Sequence, residues 1–185
     1  IIELIVLTTD HYNEVLSWTA NNKSASEFPT EPSVETLNSL FASSLQPYKA
    51  IGDQLIYTPA KFKKLFGTTA DSTLQGKFKV IKAQGATLTD NEIKARVLSA
   101  IGTFFSISNW SYGESFYYTE LCAFIHSQLS TQISSVVIVG SDAESVFGDL
   151  FEITSEPNEL FYSTATVDNI EIINSFTDQN LKKGS

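Results

Sequence analysis

The sequence predicts an α+β fold, and three observations lead to this prediction. A central segment has the order strand, helix, aromatic segment, helix, strand, which is typical of an α+β or split βαβ-like arrangement. A mixed α/β region precedes it and a β-rich tail follows it, so we predict three parts at residues 1–73, 74–140 and 141–185. The 185-residue chain is 42% hydrophobic and 18% charged, which is enough apolar material for a core and excludes a disordered chain.

The N-terminal region begins with an apolar, β-rich run at residues 1–7 that predicts a strand. Asp10 can cap a short helix that follows this strand. Residues 21–33 have the composition of a loop, with two prolines and no periodicity. From residue 34 to residue 45 apolar side chains recur at helical spacing, and Pro47 closes this second helix.

The next segment is ambiguous, because it carries signals for a strand and for a helix. Ile51 and the apolar residues 55–57 suggest a strand. Thr58 and Pro59 resemble a cap and a first helical residue, and Gly67 follows the last apolar position, which favours a short helix between them. The polar residues 67–76 are the best internal boundary.

The central segment has the clearest pattern. Residues 77–82 mostly alternate basic and apolar side chains and predict a half-buried strand. Thr89 and Glu92 form a capping box for a first helix, Thr119 can cap a second, and residues 136–139 predict a buried strand. The residues that we expect in the core are Phe78, Val80, Ile93, Val97, Ile101, Phe104, Leu121, Ile125, Val137 and Val139. The tail offers three further strands, at residues 150–154, 159–163 and 170–173.

The charge is distributed unevenly along the chain. Residues 1–48 carry a net charge of −5, residues 49–96 carry +5, and residues 97–181 carry −11 without a single Lys or Arg. Such an acidic stretch indicates either a surface that meets a basic partner, including the basic middle of a neighbouring copy, or a solvated acidic face. The overall charge of −9 argues against binding to nucleic acid, and no apolar run is long enough for a membrane span.

The sequence contains few residues typical of catalytic or metal sites. Cys122 and His126 lie four residues apart on a predicted helix, which suits a nucleophile pair or half a metal site, or a buried thiol near the apolar stripe with an imidazole at the edge of that face. We predict the last of these, and therefore no catalytic residue, no metal and no cofactor. Carboxylate pairs suited to glycoside hydrolysis could be drawn from the acidic half, but no feature selects any two.

Residues 110–118 contain five aromatic side chains within nine residues. Core packing between two helices, a protein interface, and sugar or base stacking are the three interpretations. The absence of cations in this stretch weighs against nucleic acid. The residues that we predict as interface anchors are Tyr112, Phe116, Tyr117 and Tyr118.

The same region carries a resemblance to a known family. Residues 88–105 (LTDNEIKARVLSAIGTFF), 109–121 (NWSYGESFYYTEL), 125–126 (IH) and 135–139 (SVVIV) resemble the C-terminal part of baseplate wedge proteins of contractile-tailed, myovirus-type bacteriophages, the baseplate J-like family. In that family a strand precedes a long helix ending in aromatics, and a Gly-containing aromatic turn leads to a second helix and a buried strand. Further segments fit the large myovirus version, namely 4–16 (LIVLTTDHYNEVL), 27–32 (EFPTEP), 147–153 (FGDLFEI), 158–161 (NELF) and 165–173 (ATVDNIEII).

The resemblance implies a structural role rather than a catalysed reaction. Such proteins pair with copies of themselves and with other wedge proteins around the tail hub, and baseplate rearrangement triggers sheath contraction. The implied location is the virion tail baseplate, assembled in the host cytoplasm, and the chain would be a C-terminal fragment. The alternatives are a host-receptor or carbohydrate-binding module and an acidic hydrolase.

Overall fold

The computed structural model describes residues 1–49, 52–141 and 152–174. Within these ranges it contains four α-helices and nine strands, which confirms the α+β class. The strands form several small sheets rather than one large one. The main core is shared between several of these small sheets, and the aromatic segment at residues 110–118 packs against it.

The N-terminal region contains β1 (Ile2–Val6), α1 (Thr9–Ala20), α2 (Val34–Leu45) and β2 (Leu55–Pro59). β1 and β2 pair in parallel, and α2 packs on β2. The predicted first strand and both helices are confirmed. The predicted cap at Asp10 is wrong, because the Oγ1 of Thr8 accepts a hydrogen bond from the backbone N–H of His11 at 3.2 Å and Asp10 lies in the first turn.

The helix predicted between Thr58 and Gly67 is also wrong. This segment is the end of β2 followed by β3 (Lys61–Leu65), and β3 pairs in parallel with β8 (Glu159–Ser163). The local helix signals are overridden by strand pairing, of β2 with β1 and of β3 with β8. β8 lies about a hundred residues after β3 in the sequence. Ile51, which also suggested a strand, lies outside the described residues.

The central segment contains β4 (Gly76–Lys82), α3 (Asp90–Phe104), β5 (Ser115–Tyr117), α4 (Tyr118–Gln128) and β6 (Ile133–Gly140). The predicted order of strand, helix, helix and strand is confirmed. The capping box is also present, since the Thr89 N–H donates to Glu92 Oε2 at 2.8 Å and the Glu92 N–H donates to Thr89 Oγ1 at 3.3 Å. Thr119 does not cap α4, because α4 begins at Tyr118, directly after β5.

The main three-stranded sheet has the order β6–β4–β9, where β9 is Ile170–Ile173. β4 and β6 are direct antiparallel neighbours, whereas a split βαβ unit has a third strand between its two outer strands. β9 pairs in parallel with the other edge of β4. The C-terminal tail therefore completes the sheet of the central segment.

The three predicted tail strands are present as β7 (Glu152–Thr154), β8 and β9, while Leu150 and Phe151 lie outside the described residues. Each tail strand joins a different partner: β7 pairs with β5, β8 with β3 and β9 with β4. The tail thus connects to the N-terminal region and to the central segment.

The main core draws on all three predicted parts of the chain. Eight of the ten predicted core residues are buried, and Phe104 and Val137 are half-buried. Ile101 and Ile125 are fully buried, which confirms the predicted faces of α3 and α4. The cluster crosses the boundaries predicted at 73/74 and 140/141, because it also contains Leu65, Phe66, Ile153, Phe161 and Ile170.

Candidate functional site

The predicted interface residues lie in residues 109–118, a segment that follows α3, includes β5 and ends at Tyr118, the first residue of α4. We call this segment the aromatic turn. Its first two side chains complete the C-terminus of α3. Asn109 Nδ2 donates to the carbonyl oxygen of Thr103 and Trp110 Nε1 donates to that of Phe104, both at 2.8 Å. Because the last carbonyls of a helix lack partners within the helix, these bonds fix where the turn begins.

The middle of the aromatic turn is tied to the loop between β7 and β8. The Ser155 hydroxyl donates to the Glu114 carbonyl oxygen at 2.8 Å, and the Gly113 N–H donates to the Glu159 carbonyl oxygen at 3.4 Å. Gly113 has a φ of +74°, and a Cβ there would lie 3.4 Å from the Cα of Pro157. Glycine is favoured here by both conformation and space, and the turn is held in one position.

Phe116 is a core residue and not a surface anchor, which corrects that part of the interface prediction. It is fully buried in the isolated chain, and its ring centroid lies 5.2 Å from that of Phe105 and 6.0 Å from that of Phe161. The cause is the alternation of β5, because neighbouring strand residues point to opposite faces and only one face of this strand meets the core.

The three tyrosines of the prediction are half-buried. Tyr112 packs against a second, smaller apolar cluster, and burial raises the pKa of its phenol. The Tyr117 hydroxyl donates to Glu152 Oε1 at 3.1 Å, and Tyr118 packs on the main core. The pKa of Tyr117 is raised, first by the hydrogen bond to Glu152 and then by the negative charges of Glu152 and Glu120.

A cleft of about 730 Å³ opens beside the aromatic turn. Half-buried rings and two carboxylates line it, and among the described residues no Lys, Arg or His contributes to its wall. One carboxylate is partly anchored, because Glu114 Oε2 accepts a hydrogen bond from the Ser111 N–H at 2.8 Å. The lining residues are Phe104, Asn109, Trp110, Glu114, Ser115, Tyr117, Glu120 and Phe124.

Cys122 and His126 have the surroundings expected for structural residues. Cys122 is half-buried, and burial raises the pKa of its thiol to about 12, so that the thiol is protonated at neutral pH. His126 is exposed on the same helix. Within the described ranges, no group of three His, Cys, Asp or Glu side chains is placed to hold a metal ion. In the same ranges no helix has the length and apolar character to cross a membrane.

The basic and acidic blocks of the sequence meet within one chain. Lys79 is buried and pairs with Glu171, the residue opposite it on β9. Lys63 lies 3.9 Å from Glu159 on the neighbouring strand. Some cations of the basic stretch at residues 49–96, which we call the middle block, therefore pair with carboxylates of the same chain. This weakens the interpretation that they bind the acidic stretch of a neighbouring copy.

The sequence reasoning missed a set of exposed apolar side chains in the N-terminal region. The apolar spacing of α2 suggested that Leu40 faces the core, but its side chain is 56% exposed and only Leu37 of this helix is buried. Tyr48 is 83% exposed. Among the described residues, α2 packs on β2 and most of its side chains are exposed, which no local signal in the sequence indicates. The other members of the set are Ile1, Leu16, Val34 and Ile56.

No model of a known protein family matches the chain, and no curated protein matches it either.

Proposed function

We propose that the chain is a structural subunit of the tail baseplate wedge of a contractile-tailed bacteriophage. In this role it binds copies of itself and other wedge proteins around the tail hub, and it takes part in the rearrangement that triggers sheath contraction. The observation that carries the proposal is the sequence resemblance over residues 88–139. The observed order of β4, α3, a Gly-containing aromatic turn, α4 and β6 is the order which that resemblance implies.

The surface of the molecule supports a role in assembly. A rigid turn presents Tyr112, Tyr117 and Tyr118 as half-buried side chains, and tyrosine is enriched at protein interfaces. The N-terminal region adds the exposed apolar residues Leu40 and Tyr48. Exposed apolar surface of this kind is typical of a subunit that is completed by its neighbours.

The packing of Trp110 favours assembly over the carbohydrate-binding alternative. Its indole stacks on Phe105 with a centroid distance of 5.7 Å and an interplanar angle of 11°. Phe161 packs against it at 5.1 Å in a T-shaped arrangement. A tryptophan that stacks on a sugar ring needs an open face, whereas this indole is largely used in the core.

Sedimentation velocity over a range of protein and salt concentrations tests the assembly role. We expect the chain to self-associate or to bind purified wedge proteins, and Tyr117→Ala and Tyr118→Ala to weaken that association. Tyr12→Ala is the matched control, because Tyr12 is also half-buried but lies on α1, outside the aromatic turn. A strictly monomeric chain at every concentration, together with no binding to purified wedge proteins, would contradict the proposal.

A further inference from the structure

We infer that the cleft beside the aromatic turn receives an arginine side chain from a different protein of the assembly. The inference rests on the proposed function and deepens it, because it gives the chemistry of one partner contact. It follows from the charge of the cleft, from the character of its walls and from the use of the chain's own cations elsewhere.

Among the described residues, the charge of the cleft is negative and no Lys or Arg lines it. Glu114 and Glu120 lie in its wall, and Glu152 is bonded to the Tyr117 hydroxyl at the same place. Every lining residue falls between positions 104 and 124, inside the stretch of residues 97–181 that lacks Lys and Arg. A partner group of positive charge would therefore be attracted here.

The walls of the cleft suit a planar cation better than a compact one. Tyr117, Phe124 and Phe104 are half-buried and supply aromatic surface, and the carboxylates supply hydrogen-bond acceptors. A guanidinium group stacks on aromatic rings and donates several hydrogen bonds in one plane to carboxylates, whereas an ammonium group acts as a point charge. Clefts of roughly 300–1,000 Å³ hold drug-sized ligands, so there is room for an arginine with its flanking backbone.

The occupant is a different protein because the chain has a single arginine, Arg96, and several of its lysines take part in contacts within the same chain. Among the described residues, four lysines of the middle block take part in ion pairs with carboxylates of the same chain. The ammonium of Lys64 lies 4.4 Å from the centroid of the Phe28 ring. A second copy thus offers one guanidinium group, and a separate partner that carries arginines is the better source. The four paired lysines are Lys61, Lys63, Lys79 and Lys82.

A dipeptide titration tests the ligand chemistry without requiring the natural partner. The probe is acetyl-arginyl-leucine amide, and the matched control is acetyl-citrullyl-leucine amide, which is nearly isosteric but uncharged. The reporter is the indole N–H resonance of Trp110 in the ¹⁵N-labelled chain. Trp18, the other tryptophan, is an internal control, because its indole donates to the Ser24 carbonyl oxygen outside the cleft.

We expect the arginine probe to shift the Trp110 resonance saturably and the citrulline probe to bind at least fivefold more weakly. Glu120→Gln and the double variant with Glu114→Gln should weaken arginine binding by a similar factor. Asp168→Asn removes the same charge from an exposed position outside the cleft and should leave binding unchanged. Equal binding of both probes, or equal effects of Glu120→Gln and Asp168→Asn, would overturn the inference.

The outcome can be separated from that of the proposed function. If neither probe binds but the chain still assembles with wedge proteins, the inference fails and the proposed function stands. If Glu120→Gln abolishes self-association of the chain, the occupant is a second copy, and the assignment to a different protein is overturned. If the arginine probe binds as expected but the chain is absent from baseplates, the proposed function fails.

Discussion

The Phe116 ring lies among the rings of Phe66, Phe104, Phe105 and Phe161, and its truncation removes the centre of the aromatic core. We expect Phe116→Ala to lower the free energy of unfolding by about 3–5 kcal/mol, because a large buried cavity would remain. Urea denaturation monitored by tryptophan fluorescence measures this loss.

Tyr117→Phe is the control for Phe116→Ala, because it removes only a hydroxyl that donates to Glu152. Its expected cost is far smaller than that of Phe116→Ala, because this hydrogen bond lies at the surface of the chain. Equal costs for the two substitutions would mean that β5 presents the other face to the core.

Cys122 gives a prediction with a defined pH dependence. Its thiol pKa is raised by burial from its usual value near 9 to about 12 in the folded chain. Folding therefore favours the protonated thiol, and the stabilisation that is present below pH 9 should be lost as the pH rises toward 12. Iodoacetamide should react slowly with the native chain at pH 9 and much faster with the urea-unfolded chain.

The Cys122→Ala variant isolates this effect from the tyrosines and lysines that titrate in the same range. The difference in free energy of unfolding between the wild-type chain and the variant should change between pH 9 and pH 12. A constant difference, or fast alkylation of the native chain at pH 9, would show that the thiol is not protected.

Two glycines, one at a junction of two strands and one on the surface of a helix, should respond in opposite ways to substitution by alanine. A Cβ on Gly67 would lie 2.0 Å from the backbone oxygen of Thr164, where β3 and β8 end side by side, whereas a Cβ on Gly102 in α3 would meet nothing within 4 Å. We expect Gly67→Ala to destabilise the chain by about 3 kcal/mol, because backbone must move to accommodate the methyl group.

Gly102→Ala should raise the stability by up to about 1 kcal/mol, since alanine favours the helix. Thermal melting of both variants measures the contrast. Similar melting temperatures for the two variants would place β8 away from β3.

The pairing of β9 with β4 provides a further prediction. Glu171→Gln takes a carboxylate from the buried ammonium of Lys79 and should cost about 1.5–3 kcal/mol, the range for hydrogen bonds to charged groups. Glu31→Gln is the matched control, because its ion pair with Lys61 lies at the surface and should contribute at most about 1 kcal/mol. Urea unfolding at low salt compares them, and equal costs would contradict the observed register of β9.

The predictability of these elements depends on where their partners lie. α2, α3 and the capping box at Thr89 were predictable, because their signals are contained within about fifteen residues. β3 was not, because its helix-like local sequence is overridden by a partner strand about a hundred residues away. The tail strands were predictable as strands, but no local signal shows that each joins a different sheet.

In the candidate site, too, the features set by local sequence were predictable and those set by distant partners were not. The aromatic and cation-free composition of residues 110–118 was visible in the sequence, whereas the cleft beside them was not. The burial of Phe116 was not, because the facing of a three-residue strand depends on its pairing with β7. The exposure of Leu40 was likewise not predictable, because it depends on which elements pack on α2.

At the scale of the whole molecule, the tail strands join the N-terminal region and the central segment around one main core. The acidic surplus of residues 97–181 is only partly balanced by pairs such as Lys63 with Glu159. Exposed charges of this kind steer association and are screened by salt, while apolar and aromatic contacts provide most of the stability of an interface. This combination is the physical basis of the proposed assembly role.

The location of the chain in a virus particle tests this role most directly. Gold-labelled antibodies raised against the chain should be viewed by electron microscopy on contractile-tailed particles whose genome encodes it. We predict labels at the baseplate end of the tail. We also predict that the number of antibodies bound per particle changes after sheath contraction. Labels confined to heads or fibres, or particles that do not contain the chain, would contradict the proposed function.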